Sequence, residues 1–211
     1  MIVLALDTCL GACSAAIVDG ERRIASVSEP MTRGHQERLA PMVRDLAAGA
    51  GVAFKDFDRI AVTVGPGSFT GLRVGLAFAK GLALALDRPC VGIGTLEALA
   101  ASTPAQGYVA AVIDAGRGQI YLQIFHGGAA VMAPDVLPVE TAAARLAEMH
   151  GGEMTLVGPG AALLGGGESD LAAPSPEAVA RLALNAALTP PRPLYLRAPD
   201  AKLPSAKLGA R

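Results

Sequence analysis

The sequence has few aromatic residues, few cysteines and almost no net charge. It contains no tryptophan, three tyrosines and five phenylalanines in 211 residues, and 18 Lys and Arg face 19 Asp and Glu. The resulting charge of −1 excludes a protein that holds nucleic acid through a globally basic surface, because neutralising phosphates requires clustered Lys and Arg. Three cysteines, an odd number, do not form a disulfide framework.

Neither a secretion signal nor a membrane-spanning segment is predicted. The opening residues lack a basic region and turn polar at Asp7. The longest apolar helix candidate, Val74 to Leu86, contains Lys80 and is shorter than the roughly 20 residues that cross a bilayer. With 52% hydrophobic residues, the chain is too apolar to be disordered. We therefore expect a soluble, reduced, cytoplasmic protein with one ordinary domain or two small ones.

Hydrophobic patterning predicts that the first half has the element order β-β-β-α-β-α-β. The apolar stripe of the first helix contains Pro41, so a regular helix either begins there or kinks there. This order is typical of a mixed sheet covered by helices. Strands are predicted at residues 2–6, 14–18, 23–27, 59–64 and 90–93, and the second helix at about residues 70–86.

The second half partly repeats the first. A predicted strand ends in Asp114 and is followed by a glycine turn and another strand, as the first strand ends in Asp7 before Gly11. This repeat indicates two related lobes. We assign residues 1–103 to an N-terminal lobe that carries the dimerisation helices, and residues 104–211 to a smaller lobe whose last segment could return to the first. Later elements are predicted at residues 108–113, 120–125, 139–149 and 154–157 and after Ser175.

The two Asp-containing hairpins allow two interpretations. A carboxylate beside N–H groups freed by a glycine turn can hold hydrated Mg²⁺ and a phosphate. Such residues also commonly make local turn hydrogen bonds. No intrinsic cofactor is predicted, and the alternative is ATP or ADP bound at the interface of a complex. The candidate nucleotide-binding residues are Asp7, Thr8, Gly11, Asp114, Gly158 and Gly160.

A glycine-rich segment, GPGSFTGLR at residues 65–73, connects a predicted strand to a predicted helix. It fits neither the Walker pattern nor GxGxxG. Its N–H groups could accept an anion at the helix N-terminus. The favoured interpretation is local, with Ser68 or Thr70 capping the helix and the glycines forming a tight turn.

The helix that follows carries small residues on two nearly opposite sides. Glycine inside a helix costs up to about 1 kcal/mol relative to alanine, so several glycines indicate close packing. One side can pack on the sheet of the same chain, while the other requires the preceding helix or a partner subunit, and we favour the partner. The two ridges are Gly71, Gly75 and Ala79, and Ala77, Gly81 and Ala85.

No metal site or catalytic nucleophile is predicted. A helix-borne histidine pair would need His35 and a second histidine at position 39, which is Leu39. His126 and His150 lie in separate contexts, and no histidine is placed beside Cys9, for which structural packing is favoured. The last 22 residues carry five basic residues against one acidic residue, which is typical of a solvated terminus or of a segment that reaches RNA.

With these residues in view, the chain resembles the bacterial TsaB (YeaZ) family, and the GPGSFTGLR core is the most distinctive part of the resemblance. The hairpin from Asp114 to Gln119 departs from the family pattern, which has a second arginine and a glutamate. The other matching segments are Leu4 to Thr8, His35 to Pro41, Ile60 to Gly75, Asp114-Ala115 with Tyr121, Gly158 to Ala161 and Pro193 to Arg197.

The resemblance implies an α/β, two-lobed actin-like (ASKHA, RNase H-like) fold, with mixed sheets covered by helices and a reduced second lobe. It implies a non-catalytic scaffold or activating subunit of the complex that transfers threonylcarbamoyl to N6 of adenosine 37 in tRNA. The subunit would heterodimerise with the catalytic TsaD, associate with the ATPase TsaE, reach tRNA only indirectly, and could homodimerise in isolation. The implied interface comprises His35, Glu37, Leu39, Met42, Leu46, Leu72, Arg73, Gly75, Leu76 and Ala79.

One interpretation from another class remains an open alternative at this point. A stand-alone actin-like ATPase or small-molecule kinase would use both hairpins and the Gly158-Pro159-Gly160 turn. It would show magnesium-dependent nucleotide turnover that is lost on replacing Asp7. A metallopeptidase is disfavoured because the sequence supplies too few converging ligands.

Overall fold

The computed structural model describes residues 1–149, 154–167 and 171–197. These residues form two mixed β-sheets, and each sheet begins with an antiparallel hairpin. The first sheet contains β1 (Ile2–Asp7), β2 (Ala12–Asp19), β3 (Arg22–Pro30), β4 (Arg59–Thr63) and β5 (Cys90–Ile93). The second contains β6 (Tyr108–Gly116), β7 (Gln119–His126), β8 (Ala129–Ala130), β9 (Asp135–Pro138) and β10 (Met154–Val157). The described helices are α1 (His35–Ala50), α2 (Phe69–Leu86), α3 (Thr95–Ala100), α4 (Val139–Glu148) and α5 (Pro176–Asn185).

The first sheet has the strand order β3-β2-β1-β4-β5, and its strands β2, β1 and β4 are buried on both faces. Strand β1 runs antiparallel to β2 and parallel to β4, with Leu4 opposite both Ile17 and Ile60. Because side chains alternate along a strand, Leu4 and its neighbours in register face α1 and α2, while Val3 and Ala5 face the opposite layer. Burial of both faces explains why the central strands are apolar almost throughout.

Helix α1 begins at His35 and continues through Pro41. The predicted helix start at Pro41 is therefore wrong, because the first turn forms six residues earlier. The alternative of a kink at Pro41 stays a prediction. A salt bridge helps to fix this end of the helix: the guanidinium of Arg38 donates twice to the carboxylate of Glu29 on β3, with Nε 2.6 Å from Oε2. Buried Leu39, Met42 and Val43 then hold α1 on the sheet.

Helix α5 comes from the end of the described chain and packs on the far face of the first sheet. Its Val179, Ala180 and Ala183 are fully buried against Val3, Ala5 and other residues of that sheet. At its last turn, the guanidinium of Arg59 donates to the carbonyls of Ala183, Leu184 and Ala186. A cation at this position satisfies carbonyls that have no partner inside the helix.

We expect Arg59→Met to lower the free energy of unfolding by about 1–2 kcal/mol, because the carbonyls at the end of α5 lose a charged donor. Urea unfolding followed by circular dichroism measures the change. Arg88→Met is the matched control, since its guanidinium reaches one exposed carbonyl, that of Lys55. Equal losses in both variants would contradict a specific role for Arg59.

The second sheet repeats the start of the first. Its order is β10-β6-β7-β8, with β9 also paired to β7, and β10 runs parallel to β6 as β4 does to β1. The predicted two-lobed, mixed-sheet fold is confirmed. Helix α3 lies where the sheets meet: Leu96 and Leu99 pack on the second sheet, while Ala98 joins the core of the first. The proposed boundary at 103/104 falls between α3 and β6.

Within the described ranges, α2 has the length and composition of a membrane-spanning helix, with 18 residues and a mean hydropathy of 1.4. A third of it is buried in the protein, where Gly71, Gly75 and Ala79 lie against the first sheet. The first of the two small-residue ridges therefore faces the chain's own sheet.

Candidate functional site

The first Asp-containing hairpin is sealed from solvent. Asp7 is fully buried, and its Oδ1 accepts hydrogen bonds from Thr63 Oγ1 at 2.5 Å and from the Cys9 amide at 3.1 Å. Its Oδ2 has no hydrogen-bond partner among the described residues. Burial raises the pKa of Asp7 from 3.8 to about 6, against the opposing effects of the Thr63 hydrogen bond and the nearby His35.

The N-terminus of α2 forms this seal. The Thr8 hydroxyl donates to the carbonyl of Gly71 at 2.7 Å. A Cβ atom at Gly71 would lie 2.0 Å from the Thr8 carbonyl oxygen, and one at Gly67 would lie 2.4 Å from the Cys9 carbonyl oxygen. The glycines therefore allow the helix to contact the hairpin backbone. The favoured local interpretation is confirmed for Ser68, whose hydroxyl caps the helix by accepting from the Gly71 amide.

Four of the candidate nucleotide-binding residues are buried in the protein. Asp7 and Thr8 are buried beneath α2, as described above. Gly158 and Gly160 lie against β6, and a Cβ at Gly158 would be 2.5 Å from the Val112 carbonyl oxygen. Protein atoms therefore occupy the space on the Cβ side of these glycines and around the Asp7 and Thr8 side chains. A nucleotide role for these four residues stays a prediction.

The other two candidate nucleotide-binding residues are accessible. Asp114 is exposed, and its carboxylate accepts a turn hydrogen bond from the Gly116 amide at 2.7 Å. Gly11 is half-buried, and a Cβ there would lie 3.7 Å from the Ala172 carbonyl oxygen. A nucleotide role for Asp114 and Gly11 stays a prediction.

His35 is a buried structural residue in this fold. Its Nε2 lies 3.2 Å from the Ala12 carbonyl, and one turn later α1 carries the buried Leu39. His126 stacks on Tyr108 with 4.4 Å between ring centroids. In the part of the chain that the structure describes, no group of three or more His, Cys, Asp or Glu could hold a metal ion; His150 lies outside that part.

The thiol of Cys9 is held in its protonated form. Burial, followed by the negative charge of Asp7, raises the pKa of Cys9 to about 12. The sulfur lies 3.1 Å from the hydroxyl of Thr63. Because the thiolate is the nucleophilic form, this environment favours the packing role predicted for Cys9.

Most of the predicted interface residues are buried within the chain itself. They form the inner faces of α1 and α2 and position these helices on the first sheet. Their part in a partner interface stays a prediction. Of the predicted set, Glu37 and Arg73 are exposed and Leu46 is half-buried. The buried members are His35, Leu39, Met42, Leu72, Gly75, Leu76 and Ala79.

The exposed face of α2 forms an open groove with α1, which we call the α1–α2 groove. The groove has a volume of about 510 Å³, and its lining is largely apolar. Beyond it, the second small-residue ridge is open, and Leu84 is 85% exposed. The preceding helix therefore does not cover this ridge. The groove is lined by Gln36, Phe69, Thr70, Arg73, Val74, Ala77 and Phe78.

A segment without regular secondary structure, residues 191–197, crosses the first lobe beside the groove; we call it the C-terminal strap. The Leu194 amide donates to the Val64 carbonyl at 2.7 Å. Two glycines leave space for the strap: a Cβ at Gly65 would lie 3.0 Å from the Leu194 carbonyl, and one at Gly92 would lie 3.1 Å from the Pro191 Cβ.

The strap completes an aromatic cluster at one end of the groove. The Tyr195 and Phe69 rings lie 5.7 Å apart, and the guanidinium carbon of Arg73 lies 3.7 Å above the centre of the Phe69 ring. Arg73 Nε also lies 3.4 Å from the Tyr195 hydroxyl. Sequence analysis did not predict this cluster, because no periodic pattern links Tyr195 to residues more than 120 positions earlier.

Comparisons with known proteins find relatives named for threonylcarbamoyladenosine in tRNA. Residues 26–154 match the family model described as "TsaD: tRNA N6-adenosine threonylcarbamoyltransferase". The chain is 35% identical over 150 residues to the tRNA threonylcarbamoyladenosine biosynthesis protein TsaB of Escherichia coli, a match that covers 65% of this chain and 64% of that protein. It matches 52% and 55% of the length of two further TsaB proteins, from Haemophilus influenzae and Bacillus subtilis.

Two longer matches extend the comparison over nearly the whole chain. An uncharacterized protein of Mycobacterium tuberculosis is 36% identical over 216 residues, with 95% of this chain and 93% of that protein covered. The structure of YeaZ from Pseudomonas aeruginosa superposes with a TM-score of 0.80 at 30% identity, with 92% of this chain and 99% of that chain covered. The fold, the GPGSFTGLR segment and these matches together show that the chain belongs to the TsaB (YeaZ) family.

Proposed function

We propose that this chain is a non-catalytic subunit of the complex that transfers threonylcarbamoyl to adenosine in tRNA. The names of its TsaB relatives support this role, as does the match to the TsaD family model. The observation that carries the non-catalytic assignment is the sealed hairpin: Asp7 and Thr8 lie beneath α2, where no substrate can reach them.

The subunit would act by docking the α1–α2 groove on a TsaD-like catalytic subunit. This face is apolar, because Phe69 and Leu84 are exposed on it. Its open ridge of small residues would allow a partner helix to pack closely. Arg73 forms no ion pair with an acidic group in the described ranges, so a carboxylate on the partner would complement it. A second copy of this chain could occupy the same face when the partner is absent.

A TsaE-like ATPase would associate with the same complex, and tRNA would be contacted through the partner. Nucleotide would bind at an interface of the complex instead of in the sealed first hairpin. The proposed place of action is the cytoplasm, in keeping with relatives named for tRNA modification.

We expect Ala77→Arg to weaken binding to the TsaD-like subunit of the same organism by about tenfold or more, equivalent to ~1.4 kcal/mol. The reason is that Ala77 is exposed in the groove, where a long charged side chain would prevent close approach of a helix. Isothermal titration calorimetry measures the affinity, and reconstituted threonylcarbamoyl transfer measures the functional loss.

The matched control is Ala144→Arg, which adds the same side chain to the exposed face of α4 in the second lobe. It should leave both affinity and transfer unchanged. Normal complex formation by Ala77→Arg would place the docking surface elsewhere. Magnesium-dependent ATP turnover by the isolated chain, abolished in Asp7→Ala, would instead favour the alternative of an actin-like ATPase or kinase.

A further inference from the structure

The C-terminal strap contacts both lobes. Its middle is bound to the first lobe through the Leu194 amide and the Val64 carbonyl. Its last described residue, Arg197, donates from Nη1 to the Ala115 carbonyl at 2.9 Å and from Nη2 to Gln119 Oε1 at 2.8 Å. Both acceptors belong to the β6–β7 hairpin of the second lobe. One side chain therefore ties this hairpin to the strap.

The strap also forms part of the surface at the α1–α2 groove. Tyr195, two residues before Arg197, is about half exposed and stacks against Phe69, which lines the groove and is 55% exposed. Arg73 lies over the Phe69 ring and its Nε reaches the Tyr195 hydroxyl. Large aromatic side chains and arginine are the residues that most often dominate the binding energy of an interface. Of the three, Tyr195 belongs to the strap, so its position depends on the path of the strap.

We propose that Tyr195, Phe69 and Arg73 form the energetic centre of the docking surface and that Arg197 is a positioning residue for Tyr195. The hairpin of the second lobe and the docking surface on the first are then coupled through the strap. A change in the hairpin changes the affinity for the partner, and partner binding stabilises the hairpin by the same factor. This inference rests on the proposed function.

The contact between Arg197 and Gln119 makes the coupling between the hairpin and the docking surface adjustable. Gln119 offers a neutral amide oxygen to Arg197, so the bond carries one charge instead of two. Gln119→Glu would turn the contact into an ion pair and hold the strap more firmly, whereas Gln119→Ala would leave Arg197 with the Ala115 carbonyl. Opposite effects of these two substitutions on partner affinity are expected from a positioning role.

The test is the affinity of the full chain for the TsaD-like subunit, measured by isothermal titration calorimetry. We expect Tyr195→Ala to weaken binding about tenfold and Arg197→Ala about fivefold, within the range found for interface centres and coupled sites. In a Tyr195→Ala background, Arg197→Ala should have no further effect, because it acts through that ring. Gln119→Ala should weaken binding and Gln119→Glu should maintain or strengthen it.

Arg192→Ala is the matched control, because Arg192 lies on the same strap, is exposed and makes no hydrogen bond to a described residue. It should bind normally. Circular dichroism and thermal unfolding confirm that each variant is folded, and Gln119→Ala replaces Arg197→Ala as the test should the latter fail to fold. Additive losses of affinity from Tyr195→Ala and Arg197→Ala, or unchanged affinity in either single variant, would overturn the inference. The docking face itself is tested separately by Ala77→Arg.

Discussion

Gly71→Ala is expected to lower the free energy of unfolding by about 3 kcal/mol, near the upper end for overpacking a closely packed site. The new Cβ would lie 2.0 Å from the Thr8 carbonyl oxygen, and a backbone atom cannot move aside as the end of a flexible side chain can. Helix α2 would have to shift away from the hairpin and weaken the 2.7 Å hydrogen bond between Thr8 and Gly71. Chemical denaturation in urea measures the loss.

The matched control is Gly81→Ala on the exposed side of the same helix. A Cβ there meets no atom within 4 Å. Alanine should therefore stabilise the protein by roughly 0.5–1 kcal/mol through its higher helix propensity. The same substitution on two faces of one helix should thus have opposite signs. A stabilising effect at both positions would show that α2 does not contact the hairpin as closely as described.

Asp7→Asn is expected to remove a pH dependence of stability. The pKa of Asp7 is raised from 3.8 to about 6 in the folded state by burial, so folding favours the protonated form. Its contribution is fully present below pH 3.8 and is lost as the pH rises through 6. A pKa difference of about two corresponds to roughly 3 kcal/mol. Relative to wild type, the variant should therefore gain about this much between pH 4 and pH 7.

The quantity to measure is the difference in the free energy of unfolding between the two pH values. Asparagine also places an amide group where Oδ2 has no partner among the described residues, which is itself destabilising. That cost is the same at both pH values and cancels. Asp114→Asn is the control, since Asp114 occupies the corresponding hairpin of the second lobe and is exposed. A pH profile of Asp7→Asn that parallels wild type would contradict the prediction.

Element order was well predicted where the local pattern is strong. The apolar run of β1 and the start of α5 after Ser175 are local signals, and each element lies within a residue or two of its predicted place. Helix α3 and strands β8 and β9 were missed, because each has six residues or fewer and too little periodicity. The repeated hairpin was sufficient to predict the two-lobed fold.

The face of α2 that packs inward could not be predicted from its sequence. Both ridges are made of glycine and alanine, so their hydrophobic patterns are almost equal. Which ridge packs inward is determined by the close contact of Gly71 and Gly75 with the backbone and hydroxyl of Thr8, which lies more than 60 residues earlier in the chain. The predicted interface therefore included the buried ridge, whereas the open ridge and the strap form the exposed surface beside the groove.

The return of α5 to the first sheet has a consequence during synthesis on the ribosome. Strand β5 ends at Ile93, yet the helix that covers the Val3 and Ala5 face begins only at Pro176. At about 5–20 residues per second, translation leaves that apolar face bare for roughly 4–16 s. The core on this face of the first lobe is therefore completed only when α5 emerges from the exit tunnel.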